Sequence, residues 1–251
     1  MDKHPEFLYK YRNFEDPYMI NIIKNSSLYF SQVKNFNDPF DLRLDYKKNY
    51  SRKEKILYLK KLFRQSEEVK KKYKISDIPS IAENKKLFRE INKNAKKKLD
   101  NLSILSLSSD PKNILMWSHY SHKHTGLVFE FKYKESKSYF KEATKVIYDS
   151  KYDLFNLTIE DDKRNEELKK MFLKKYLDWQ YEKEYRVIEV KKPSEEEFNK
   201  LDLTSIIFGL ETETKNIEMI KELCAENGFE HVKFKKMEKV YGKFELKIVD
   251  L

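Results

Sequence analysis

Glycine is scarce in this chain, with four in 251 residues; cysteine occurs once, and no apolar run reaches 18 residues. Each scarcity excludes something. A phosphate loop or dinucleotide fingerprint needs glycines clustered within a few positions so that backbone can approach a pyrophosphate, and four scattered ones cannot build it. The lone Cys224 can form no intrachain disulfide, so a reducing compartment, the cytoplasm, is expected. Short apolar runs and the polar opening Met1-Asp2-Lys3-His4 carry neither a membrane-spanning segment nor a signal pattern, so no membrane partner is expected.

Charge and aromatic volume are plentiful instead. Charged residues make up 37%, while 17 tyrosines and 17 phenylalanines supply core volume for one domain spanning 1–251. The net charge of +10 is unevenly placed. Between Lys47 and Asn101, 19 Lys and Arg stand against 7 Asp and Glu, a balance of +12, whereas the remainder holds 33 against 35. This stretch reads as a Lys-rich helical insertion of two helices, Arg52 to Lys74 with Ile56, Leu59, Leu62 and Phe63 on one stripe, and Pro79 to Leu99. Lys70, Lys71, Lys72, Lys96, Lys97 and Lys98 form either a solvated face or a surface that neutralises nucleic-acid phosphates.

Elsewhere, short strands and helices alternate irregularly, which argues for an α+β fold around a mixed or antiparallel sheet. Strands are expected at Leu8–Tyr11, Leu28–Gln32, Ser103–Ser108, Gly126–Phe131, Val146–Asp149, Tyr181–Val190, Leu203–Gly209, Val232–Phe234 and Phe244–Val249. Helices are expected from Asp16-Pro17 through Ile23, and over Asn113–Ser121, Glu160–Leu177 and Thr214–Asn227.

Glu182 and Glu184 stand two apart in a strand-like run, so both should project from one face, with Lys183, Tyr185 and Val187 on the other. Paired carboxylates suit a site that grips a ribose and stabilises a developing cation; the alternative is a solvent-facing acidic stripe. In the loop Asn37-Asp38-Pro39-Phe40-Asp41, Asn37 and Asp38 either close a turn, with Phe40 plugging the core, or contact a ribose or base. A rival constellation is Asp110 with Glu130 and Lys132, in the order of a metal-dependent nuclease. His119, His122 and His124 lack the companions of a zinc site, and no metal is expected. Trp117 and Tyr120 on one short helix read as packing residues or as a base-stacking pair.

Four motifs in order, Leu8-Tyr9-Lys10-Tyr11-Arg12, Leu28-Tyr29-Phe30-Ser31 with Phe36 to Asp41, Met116-Trp117-Ser118-His119-Tyr120 with Gly126, and Trp179 with Tyr181 to Arg186, resemble the bacterial family catalogued as domain of unknown function 2971. That family name implies no activity. A weaker resemblance links Arg12, Ser106-Leu107-Ser108 and Glu182-Lys183-Glu184 to the arginine, Ser-x-Ser, Glu-x-Glu group of ADP-ribosyltransferases. It implies an ADP-ribosyltransferase-like fold and an enzyme using NAD as substrate, a toxin or antiphage defence effector acting on nucleic acid or protein. By that resemblance Arg12 holds the pyrophosphate, with Tyr9, Asn37 and Asp38 beside it. Ser106 or Ser108 supports the glutamate, Glu184 stabilises the ribosyl cation and Glu182 positions or deprotonates the acceptor. A non-enzymatic nucleic-acid-binding module is the remaining alternative.

Overall fold

The computed structural model describes residues 4–42, 45, 47, 49–86, 102–156 and 161–251. Its strands are β1 (Phe7–Arg12), β2 (Ser27–Tyr29), β3 (Ser31–Gln32), β4 (Ser103–Ser108), β5 (Leu127–Lys132), β6 (Thr144–Lys145), β7 (Ile147–Asp149), β8 (Lys174–Tyr176), β9 (Glu184–Glu189), β10 (Glu195–Glu197), β11 (Leu203–Phe208), β12 (Lys233–Lys239) and β13 (Leu246–Asp250). The main sheet runs β13-β12-β11-β5-β1-β4-β9-β6, with β3 also on β4. The fold is α+β with a mostly antiparallel sheet, β11 and β12 being the parallel pair within it.

Period-two alternation sorts the strand residues into cores. Leu8, Leu105, Leu107, Phe129, Tyr185, Val187 and Ile206 pack on one face with Ile217, Ile220 and Cys224 of the helix Thr214–Glu226. Ile104 packs on the other, with Leu59, Ile78, Ile81 and Phe172. The helices Arg52–Gln65 and Ile78–Glu83 therefore cover part of the sheet. A third cluster joins Tyr11, Val128, Ile207 and Met237 to Trp117 of the helix Ile114–Tyr120. Burial of each such side chain contributes on the order of 1.5–3 kcal/mol. Strand β1 is joined unequally to its two neighbours. It pairs with β5 along its whole length but meets β4 at one register pair, Tyr9 opposite Ser108.

Several expected elements are shorter or different. The basic segment breaks at Ser66, whose hydroxyl accepts from Val69 N and caps a second helix, Glu67–Lys72, because a side-chain oxygen there competes with helix continuation. The far end of the expected Pro79–Leu99 helix, including Lys96, Lys97 and Lys98, lies outside the described residues. The expected strand over Leu28–Gln32 divides at Phe30, into β2 pairing with β10 and β3 pairing with β4. After Asp16, whose carboxylate accepts from Tyr18 N, the chain makes turns, and helix forms only over Asn21–Lys24. The helix expected over Glu160–Leu177 ends at Phe172, and Lys174–Tyr176 becomes β8, paired in parallel with β7. Phe40 does not plug the core: it is 69% exposed, while Asp41 beside it is buried. No helix among the described residues is long and apolar enough to cross a membrane.

Candidate active site

Beyond the Tyr9–Ser108 pair an open cleft lies between β1 and β4, about 550 Å³ with its mouth included. Tyr9, Arg12, Asn37, Ser106, Ser108, Glu182 and Glu184 all line it, as do Lys10, Tyr120 and Lys175. Asp38 does not: its carboxylate accepts from Phe40 N at 2.8 Å and closes the turn. Lys10 crosses the divide, its ammonium donating to Ser106 O at 2.7 Å. Burial and the neighbouring Arg12 push that ammonium well below the ordinary lysine range.

The two glutamates converge, though by another route than strand alternation. Glu182 ends a 3-10 turn, Leu177–Glu182, and Lys183 adopts a left-handed conformation with φ of 44°, so β9 begins at Glu184. The residues sharing the strand face are therefore Glu184 and Arg186, opposite Ser108 and Ser106 respectively. Tyr185 and Val187 point into the core as expected, whereas Lys183 is exposed and pairs with Asp110 at 2.8 Å. Ser108 Oγ donates to Glu182 O at 2.6 Å, tying the serine strand to the turn that delivers this carboxylate.

A buried network of charge joins them. Lys175 Nζ lies 2.5 Å from Glu182 Oε2 and 3.3 Å from both Glu184 Oε2 and Asp41 Oδ2. Arg186 donates through Nε to Glu184 at 2.7 Å, through Nη2 to both oxygens of Asp41, and through Nη1 to Phe172 O. All five residues are at most 6% exposed. Three carboxylates face two cations, so with every group ionised one negative charge is uncompensated. The two glutamates divide accordingly. Burial alone would raise Glu184, but Arg186 and Lys175 overcome it and hold the carboxyl down to about 2. Glu182 stays raised by burial and by Glu184, against the opposing pull of Lys175. Tyr120 donates to Glu182 Oε1 at 2.6 Å. Neighbouring carboxyls pushed apart in this way make one a fixed anion and the other a proton carrier.

Local structure explains these placements. Asn113 caps the helix Ile114–Tyr120 by accepting from Leu115 N and Met116 N, and Trp117, fully buried, donates Nε1–H to Pro111 O. That fixes the helix so that Tyr120 faces the cleft. Gly126 is required close by, since a Cβ there would lie 2.2 Å from Arg12 O.

The rival constellations do not assemble in the same way. Asp110 pairs with Lys183, and Glu130 accepts from Ser205 Oγ at 2.6 Å and Thr204 Oγ1 at 2.8 Å. His119 meets Tyr181 OH, and His124 stacks on Trp117. Among the described residues no group of three or more His, Cys, Asp or Glu is placed to hold a metal ion. Lys70 pairs with Glu67, and Lys72 lies over the Tyr73 ring.

Sequence alone assigns no role to Lys10, Asp41, Lys175 or Arg186, and reads Tyr120 only as a packing or base-stacking residue. Four of them lie within the four ordered motifs; Lys175 lies within a stretch that reads as helix.

Residues 116–187, which hold Tyr120, Lys175, Glu182, Glu184 and Arg186, match the model of a family described as protein of unknown function, DUF2971. No curated protein and no solved structure gives a match.

Proposed function

We propose that the cleft is the active site of an ADP-ribosyltransferase-like enzyme that consumes NAD as its substrate. One observation carries this reading: Arg12, Ser106, Ser108, Glu182 and Glu184, drawn from the early strand, the serine strand and the late glutamate segment, line one cleft. Two unsatisfied groups support it. Arg12 Nε is buried 3.2 Å from Asp16 Oδ2 but out of hydrogen-bonding alignment, and Ser106 Oγ is buried beside Glu184, whose carboxyl it helps hold down, without a well-formed hydrogen bond. A guanidinium donor and a hydroxyl left over in a cleft suit a phosphate and a sugar hydroxyl.

The division of labour follows from the two glutamates. As the bond between ribose and nicotinamide breaks and its electron pair leaves with nicotinamide, Glu184 supplies a carboxylate that stays ionised throughout. Glu182 receives the proton that the acceptor loses when it bonds to the ribose, a role its raised pKa favours. Arg12 lines the wall across from the glutamates and would meet the pyrophosphate. Incubation with labelled NAD and separate pools of DNA, RNA and cell protein tests the reading. Nicotinamide release with covalent label on one pool is expected; neither release nor label would sink it.

A further inference from the structure

The most anomalous surface of the molecule is the tip of the β12–β13 hairpin, far along the sheet from the cleft. Tyr241 and Phe244 are 101% and 102% exposed, so neither ring rests on anything. Rings of this size ordinarily bury about 150–250 Å² each, by general experience with aromatic side chains. The tip is nonetheless built firmly. Met237 and Leu246 anchor its base in the third core cluster, Val240 N donates to Glu245 O at 2.9 Å, and Lys243 N donates to Val240 O at 3.2 Å. Gly242, with φ of +71°, supplies the left-handed residue that this turn requires.

The hairpin that carries the rings is rich in lysine. Residues 233–250 contain six lysines against Glu238, Glu245 and Asp250. Lys247 pairs with Glu238 and Lys235 with Glu130, whereas Lys236 and Lys239 hold no ion pair among the described residues. Lys243 lies between Tyr241 and Phe244 in sequence, 4.0 Å from Glu245.

We propose that this hairpin docks single-stranded nucleic acid, with Tyr241 and Phe244 stacking on unpaired bases while Lys239 and Lys243 contact the phosphates. Free aromatic faces interleaved with lysines match a strand whose bases alternate with charges, and stacking is tolerant of sequence because every base has a π face. A lipid surface is less well matched. Inserting both rings would carry Lys243 and Glu245 toward hydrocarbon, which strongly disfavours charge. Nothing in this surface depends on the chemistry assigned to the cleft.

The test uses the full chain and fluorescence anisotropy with labelled single-stranded DNA, single-stranded RNA and a duplex of the same sequence, beside sedimentation with anionic phosphatidylserine vesicles. The Tyr241→Ala/Phe244→Ala variant removes no buried contact, so its thermal midpoint should match wild type. Its affinity for single strands should fall about thirtyfold or more, as expected for the loss of two base stacks. Changing Lys239 and Lys243 to Gln should flatten the logarithmic salt dependence by about 1.4, at about 0.7 per phosphate contact on a single strand. No saturable binding at low salt, unchanged affinity in the aromatic variant, preference for the duplex, or binding to vesicles in place of oligonucleotides would each overturn the proposal.

Discussion

Replacing Lys175 with Met keeps most of the stem volume but removes the cation that touches all three buried carboxylates. Asp41 and Glu184 then keep Arg186, and Glu182 is left with the Tyr120 hydroxyl. Removing one partner from a buried ion network costs about 3–5 kcal/mol, because the carboxylates left behind remain desolvated. The loss should depend on pH in a definite direction. Glu182 is already raised by burial and by Glu184, and without Lys175 it rises further. A carboxyl with a raised folded pKa binds its proton more tightly in the folded state, so stability falls as pH climbs from the unfolded value toward the folded one. In the variant that fall extends to higher pH. Urea unfolding at about pH 5, 7 and 9 should therefore show a gap to wild type that widens with pH. Adding Glu182→Gln to the variant removes the carboxylate that lost its closest partner and should recover much of the deficit. A gap equal at all three pH values, with no recovery in the double variant, would refute the electrostatic account and leave Lys175 as a packing stem over Trp179, whose ring lies 5.0 Å from Nζ.

Other consequences are direct. Glu184 falls from an ordinary 4.5 to about 2, so at 1.36 kcal/mol per pH unit it contributes on the order of 3 kcal/mol above pH 4.5 that is lost as pH drops toward 2; unfolding across that range should show this acid limb in wild type and not in Glu184→Gln. Gly126→Ala should destabilise the fold by several kcal/mol in thermal unfolding, since its Cβ meets Arg12 backbone and Ser121 Cα in place of any flexible side chain. Phe40→Ser should stay within about 0.5 kcal/mol of wild type, while Trp117→Ala should lose about 3–5 kcal/mol, a contrast set by 69% against 0% exposure.

Much of the sheet was legible because its strands alternate cleanly. Leu105 and Leu107 against Ser106 and Ser108, or Tyr185 and Val187 against Glu184 and Arg186, carry the period-two signal that distinguishes core from cleft. Chain order also pointed to Arg12, Ser106, Ser108, Glu182 and Glu184, which line one cleft, whereas it singled out Asp38, which does not, and gave no role to Lys10 or Lys175, which do. Geometry itself was less accessible. Nothing in Glu182-Lys183-Glu184 announces that Lys183 turns left-handed and that a 3-10 turn, rather than a strand, delivers Glu182. The charged run ending at Leu177 looks helical by composition, and only pairing with β7 converts Lys174–Tyr176 into a strand that buries Lys175. Tertiary partners made those choices. A buried Asp41 was likewise invisible until Arg186 stood opposite it, because an acidic residue in a turn loop is ordinarily solvated.

Whether the cleft cleaves NAD is decided by the initial rate of nicotinamide release with wild type, Glu184→Gln and Asp110→Ala, each first shown to be folded. Wild type should release nicotinamide, Glu184→Gln should be slower by on the order of a hundredfold or more as the carboxylate opposing the cation is lost, and Asp110→Ala, whose carboxylate is tied to exposed Lys183, should stay near wild type. No release by wild type, or equal rates in wild type and Glu184→Gln, would contradict the transferase reading.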